Sequence, residues 1–112
     1  MHLALYRSQP LARAIVHTHP LHLLALDLAG QGSPLDLPLF EAGLFRELFT
    51  EVEPIRPGSS QLARAVAEAA REHRAIYLRR HGLVCWEENL TRALALSEEL
   101  EALAKVKLKG GI

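Results

Sequence analysis

Residues 75–86 read Ala75-Ile76-Tyr77-Leu78-Arg79-Arg80-His81-Gly82-Leu83-Val84-Cys85-Trp86, and this stretch decides the architecture. Ala75 to Leu78 is apolar and carries β-branched and aromatic side chains, which predicts a strand within 74–80. His81-Gly82 reads as the turn, and Leu83 to Trp86 as a second buried run. Asn89 then offers a side-chain cap for a long helix ending near Gly110. Its apolar stripe is Leu90, Ala93, Leu94, Leu96, Leu100, Leu103 and Ala104. The acids Glu98, Glu99 and Glu101 precede the bases Lys105, Lys107 and Lys109, which reads as a solvated face with a favourable Glu101–Lys105 pair.

Working outward, Ser59 or Ser60 caps a helix over 60–73, where Leu62, Ala65, Val66, Ala69, Ala70 and His73 recur on one face. Leu39 to Thr50 predicts another helix, and Val52 to Ile55 a short extended stretch before Pro57. Gln31 to Pro38, rich in Gly, Ser and Pro, is a loop. Leu21 to Ala29 is helical, entered at Pro20 and closed by Gly30. Ala14-Ile15-Val16-His17-Thr18-His19 alternates as a strand does. Met1 to Arg7 is helical, stopped by Gln9-Pro10, and lacks a capping residue in front. Helices and strands alternate without repeat or linker, so the class is α/β.

The chain has 112 residues, 49% of them hydrophobic and 23% charged, with 13 basic and 13 acidic side chains. That is enough apolar material for one folded core and excludes a disordered chain. A net charge of zero, with no basic cluster longer than Arg79-Arg80, argues against nucleic acid or an anionic membrane as partner. The single cysteine, Cys85, has no internal disulfide partner and reads as core. The N-terminus has no basic leader followed by an apolar stretch, and the run Leu23 to Gly30 is interrupted by Asp27 and too short to span a bilayer. A soluble, cytoplasmic protein is expected.

Six histidines are present, and three of them carry chemistry. Residues two apart in a strand project to one side, so His17 and His19 present two imidazoles to one face. Imidazole nitrogen is a common ligand of zinc and its neighbours. His81 ends an apolar strand and precedes Gly82, whose missing side chain leaves room for close approach. Three histidines with an open coordination position make a catalytic pattern. The spacing is equally compatible with hydrogen-bonded or packed histidines, and nothing local to the sequence shows that His81 meets the other two. His22 reads as a surface or supporting residue, His73 as packed against the last carbonyls of its helix, and His2 as exposed. Pro57-Gly58-Ser59-Ser60 reads as an N-cap in preference to an anion site. No P-loop, dinucleotide glycine fingerprint or nucleophile elbow occurs.

The run Ala14-Ile15-Val16-His17-Thr18-His19-Pro20, Gly58-Ser59 before an amphipathic helix, and Leu78-Arg79-Arg80-His81-Gly82-Leu83-Val84 leading to Asn89-Leu90 resemble the class II aldolase/adducin family. L-fuculose-phosphate aldolases are the nearest-looking members. The resemblance runs over nearly all of the chain, taken as a single domain, 1–112. It implies a three-layer α/β/α sandwich around a mostly antiparallel sheet. It also implies His17, His19 and His81 as ligands of Zn2+ or another divalent transition metal, a phosphorylated sugar as substrate, and a homo-oligomer, tetrameric with sites between subunits. The reaction implied is reversible cleavage of a ketose 1-phosphate to dihydroxyacetone phosphate and an aldehyde, with the metal stabilising the charge that develops.

Against the family pattern, the chain corresponds to the C-terminal two thirds of the domain. The phosphate-holding segments and the acid/base residue of the family precede the position of Met1, and no tyrosine lies between Gln31 and Thr50. Catalytic and substrate-binding residues are therefore unassigned, impaired turnover is expected, and exposed apolar surface is expected on the sheet or the first helix. Alternative readings are a non-catalytic interaction module like the adducin heads, a pentulose-phosphate epimerase or dehydratase of the same family, and an unrelated small α/β regulatory domain.

Overall fold

The two apolar runs become the paired centre of a four-stranded sheet in the computed structural model, which describes residues 1–110. The elements in chain order are α1 (His2–Ser8), β1 (Ala14–Thr18), α2 (Leu21–Leu28), α3 (Phe40–Phe45), β2 (Phe49–Val52), α4 (Ser60–Ala70), β3 (Ala75–Leu78), β4 (Gly82–Glu87) and α5 (Leu90–Gly110). The strand order is β1-β4-β3-β2. β4 pairs antiparallel with both β1 and β3, while β2 and β3, joined through α4, run parallel. The sheet is mixed and mostly antiparallel.

Every residue of β3 and β4 is buried, because helices cover both faces. Side chains alternate between two cores as the strand pleat requires. Ala75, Tyr77, Leu83 and Cys85 pack with Leu23 and Leu26 of α2 and Leu96, Leu100 and Leu103 of α5. Ile76, Leu78, Val84 and Trp86 pack with Leu5 of α1 and Leu62, Val66 and Ala70 of α4. A strand buried on both faces reads as an unbroken apolar run, which is why these two were legible. The result is the expected three-layer α/β/α arrangement.

Several local expectations are corrected. The helix over 39–50 stops at Phe45, and the strand expected at 52–55 lies at 49–52. The Leu48 carbonyl accepts from both Arg74 and Ala75 N–H, so parallel pairing with β3 captures Phe49 and Thr50 from the helix. Pro54 has no N–H with which to extend the ladder. α4 ends at Ala70, ahead of His73, its C-terminal carbonyls at Ala70 and Arg71 accepting from the Gln9 side chain. The turn between β3 and β4 is Arg79-Arg80-His81, and Gly82 is already paired with Leu78.

On α5, Asn89 caps as expected, its Oδ1 accepting from Arg92 N–H at 2.9 Å. Leu90 and Leu94 of the expected stripe are exposed, and Ser97 and Lys107 are buried in addition. Exposed apolar side chains do occur on α1, at Leu3 and Tyr6, and on α3, where Phe40 is 95% exposed. Among the described residues no helix is long and apolar enough to cross a membrane.

Candidate metal centre

β1 and β4 are neighbours, so the end of β1 lies beside the start of β4. That pairing brings together residues far apart in sequence: His17 in β1, His19 just beyond it, and His81 in the turn before Gly82. One nitrogen of each imidazole lies within 4.8 Å of the others. The ring centroids are 5.0 Å apart for His17 and His19, 5.1 Å for His17 and His81, and 5.6 Å for His19 and His81.

The donor set fits a divalent transition metal. Tetrahedral Zn–N bonds of about 2.0–2.1 Å place ligand nitrogens roughly 3.4 Å apart, so a trio within 4.8 Å of one another needs to draw in by at most about 1.4 Å. His17 Nδ1 lies 3.0 Å from the Leu83 carbonyl. A carbonyl only accepts, so Nδ1 carries the proton and Nε2 keeps its lone pair outward. This is the supporting arrangement that orients metal-binding imidazoles. His81 Nδ1 is buried with no hydrogen-bond partner, a polar demand the chain itself leaves unmet. Burial, followed by repulsion from His17 and His19, lowers the His81 pKa and so favours the neutral form that binds metals.

Gly82 makes the convergence possible. A Cβ there would stand 2.4 Å from the Thr18 carbonyl oxygen, 2.9 Å from His19 Cδ2 and 3.3 Å from His17 Cε1. The room expected beside this glycine for the approach of His81 to another group is taken up by the rings of His17 and His19.

The other histidines go elsewhere. His22 donates Nδ1–H to Glu101 Oε2 at 2.9 Å, and the two Glu101 oxygens also accept from the His22 and Leu23 backbone N–H groups. Glu101 is therefore the cap of α2 supplied from α5, and the solvated face and Lys105 pairing expected for it do not hold. His73 donates Nδ1–H to the Glu47 carbonyl at 3.3 Å instead of the last carbonyls of α4. His2 is exposed, its pKa lowered by burial of part of the ring and then by His17. Ser59 caps α4 through Leu62 N–H, as expected for the Pro57-Gly58-Ser59-Ser60 segment. Cys85 is wholly buried.

Asp27, Tyr77 and Thr18 were not singled out by sequence reasoning. Asp27 accepts from Tyr77 Oη–H at 2.7 Å and from Arg80 N–H at 2.8 Å. Burial pushes its carboxyl up, but these bonds and the Arg79 charge outweigh it and hold it below its usual range. Burial and the bond to Asp27 push the Tyr77 phenol up, keeping it a donor. Thr18 Oγ1 meets Ser97 Oγ at 3.1 Å, tying the end of β1 to α5. The one available signal was Asp27 itself, a lone charge in an apolar helix.

Residues 1–108 match the family model described as class II aldolase and adducin N-terminal domain. The chain is 39% identical over 109 residues to a 3-oxo-tetronate 4-phosphate decarboxylase of Cupriavidus necator, covering 95% of this chain and 50% of that protein. It is 36% identical over 113 residues to an L-fuculose phosphate aldolase of Haemophilus influenzae, covering 96% and 50%. The crystal structure of L-fuculose-1-phosphate aldolase from Thermus thermophilus superimposes with a TM-score of 0.81 at 34% identity, covering 97% of this chain and 58% of that one. The chain spans about half the length of the curated relatives it matches.

Proposed function

We propose that this chain, which belongs to the class II aldolase and adducin family, holds a divalent metal on His17, His19 and His81 and contributes that centre to breaking a carbon–carbon bond beside the carbonyl of a phosphorylated sugar. The observation that carries the reading is the convergence of three imidazole nitrogens within 4.8 Å. A divalent cation held there supplies positive charge next to the oxygen on which negative charge develops as the bond breaks. The residues of the chain hold the geometry. Leu83 fixes the His17 tautomer, Gly82 admits the close approach, and Thr18 with Ser97 anchors the strand end.

The reaction we favour is reversible cleavage of a ketose 1-phosphate of the L-fuculose type to dihydroxyacetone phosphate and an aldehyde, in keeping with the likeness to L-fuculose phosphate aldolases. A second reading is favoured by the 39% identity to a 3-oxo-tetronate 4-phosphate decarboxylase. A 3-oxo acid that loses carbon dioxide leaves its electron pair next to a ketone, as aldol cleavage does, so one electrostatic device serves both. The adducin-like module is disfavoured by the assembled trio, which a purely structural head does not need. Self-association through the exposed apolar side chains of α1 and α3 accompanies this reading.

No acid/base residue is assigned beside the three imidazoles, and the chain by itself is expected to bind metal and to show little or no turnover. Metal analysis of protein purified without added metal tests the first part. About one equivalent of zinc, lost in His17→Ala and in His81→Ala, supports it, and a metal-free wild-type chain that takes up none on dialysis against zinc refutes it. Assays with dihydroxyacetone phosphate plus lactaldehyde, and with a 3-oxo-tetronate 4-phosphate, separate the two reactions.

A further inference from the structure

Resting on the reading of the three imidazoles as a metal site, we propose that Asp27 is a positioning residue for that site: its carboxylate holds the turn that delivers His81. Arg80 sits in this turn at φ 63°, in the left-handed region that crowds Cβ against the backbone and is unfavourable for any residue with a side chain. Such a conformation persists where neighbours over-determine it. The Arg80 N–H is met by Asp27 Oδ2 at 2.8 Å, and the same carboxylate is held by the Tyr77 hydroxyl at 2.7 Å. His81 N–H closes the turn onto the Leu78 carbonyl at 2.9 Å.

The long contacts of Asp27 are those to the Arg79 side chain, at 3.4 and 3.5 Å. The short ones go to the turn backbone and to Tyr77. The Asp27 side chain is 6% exposed while that of Arg79 is 38% exposed, so this is first a buried clamp on a turn and only second an ion pair.

The placement of Asp27 gives the clamp its consequence for the metal. α2 begins two residues after His19 and ends at Leu28, so a single short helix starts just past His19 and grips the His81 turn at its other end. Glu101 fixes the first end of that helix. The separation of His19 from His81 is thereby set through α2, and Asp27 is the joint at its far end.

The test is a Co2+ titration of the full chain, followed by visible absorption and by competition with a chelator. Asp27→Ala, which removes the acceptor shared by Arg80 N–H and the Tyr77 hydroxyl, is expected to bind Co2+ at least about tenfold more weakly, with an altered d–d spectrum, the size of loss seen when residues behind metal ligands are changed. Adding Arg80→Gly, which removes the penalty at positive φ, is expected to restore affinity and spectrum. Wild-type affinity and an unchanged spectrum in Asp27→Ala overturn the proposal, as does a double variant that regains thermal stability without regaining the spectrum. If Asp27→Ala does not fold, Tyr77→Phe, which removes the donor that orients the carboxylate, is expected to weaken Co2+ severalfold, and unchanged binding overturns the proposal. A wild-type chain that binds no Co2+ refutes the metal reading itself, an outcome distinct from wild-type binding that is indifferent to Asp27.

Discussion

His17 donates its Nδ1–H to the carbonyl of Leu83, across the β1–β4 pair, at 3.0 Å. The same antiparallel pairing sets Thr18 against Leu83 and His17 against Val84, so the ladder that builds the sheet also chooses which nitrogen of His17 is free. Replacing His17 by Ala removes one of the three proposed ligands and leaves the pairing intact, since β1 bonds through its backbone. If the proposed site takes zinc, a zinc concentration a hundred times the dissociation constant is expected to stabilise the wild-type chain by about 2.7 kcal/mol. For a domain of this size that is a rise of roughly 10 °C or more in Tm. Calorimetry with and without zinc is expected to show this rise in the wild type and to lose it in His17→Ala, with the zinc-free Tm changed little.

Gly82→Ala places a methyl group 2.4 Å from the Thr18 carbonyl oxygen, which is backbone and cannot swing aside, and 2.9 Å and 3.3 Å from the rings of His19 and His17. The strands must part or the turn must shift. A loss of about 1–3 kcal/mol is expected from this overpacking, measurable by urea unfolding. Metal affinity is expected to fall more steeply than stability, because the displaced atoms belong to His17 and His19.

Much of the fold was legible because β3 and β4 are buried on both faces and read as unbroken apolar runs, and because α4 and α5 carry side-chain caps at Ser59 and Asn89. What was not legible depended on partners distant in sequence. Phe49 and Thr50 have no local reason to leave a helix, and only pairing with β3 makes them a strand. Glu101 sits among other acids on a helix that looks solvated, yet it caps α2. Of the candidate site, His17 and His19 were legible from strand periodicity. Their meeting with His81 needed β1 to lie beside β4, which no spacing encodes.

Glu101 satisfies two backbone donors at the start of α2, at 2.9 Å each, and the ring of His22. Residue 20 is a proline with no side-chain cap to offer, so nothing local replaces it. Glu101→Ala is expected to cost about 1–2 kcal/mol, the range of a lost helix cap. Because α2 begins two residues after His19, Co2+ affinity is expected to fall as well. Chemical denaturation together with the Co2+ titration checks both.

Cys85 lies at the centre of β4, fully buried. Burial, and after it the neighbouring Glu87 carboxylate, pushes its thiol up to about 12. The folded chain is thus expected to be inert to a thiol reagent at pH 8 and to react with one equivalent once unfolded, since the thiolate is the nucleophile. The folded state binds this proton more tightly than the unfolded state, in which a thiol titrates near about 8.5. The stability it confers is complete below that pH and is lost progressively as pH rises through about 9 toward 12. Cys85→Ala removes this dependence at the cost of a small cavity. Unfolding midpoints measured between pH 7 and 10 are expected to decline in the wild type and to decline less in the variant. Equal slopes for the two proteins, or rapid labelling of the native wild type, contradict the assignment.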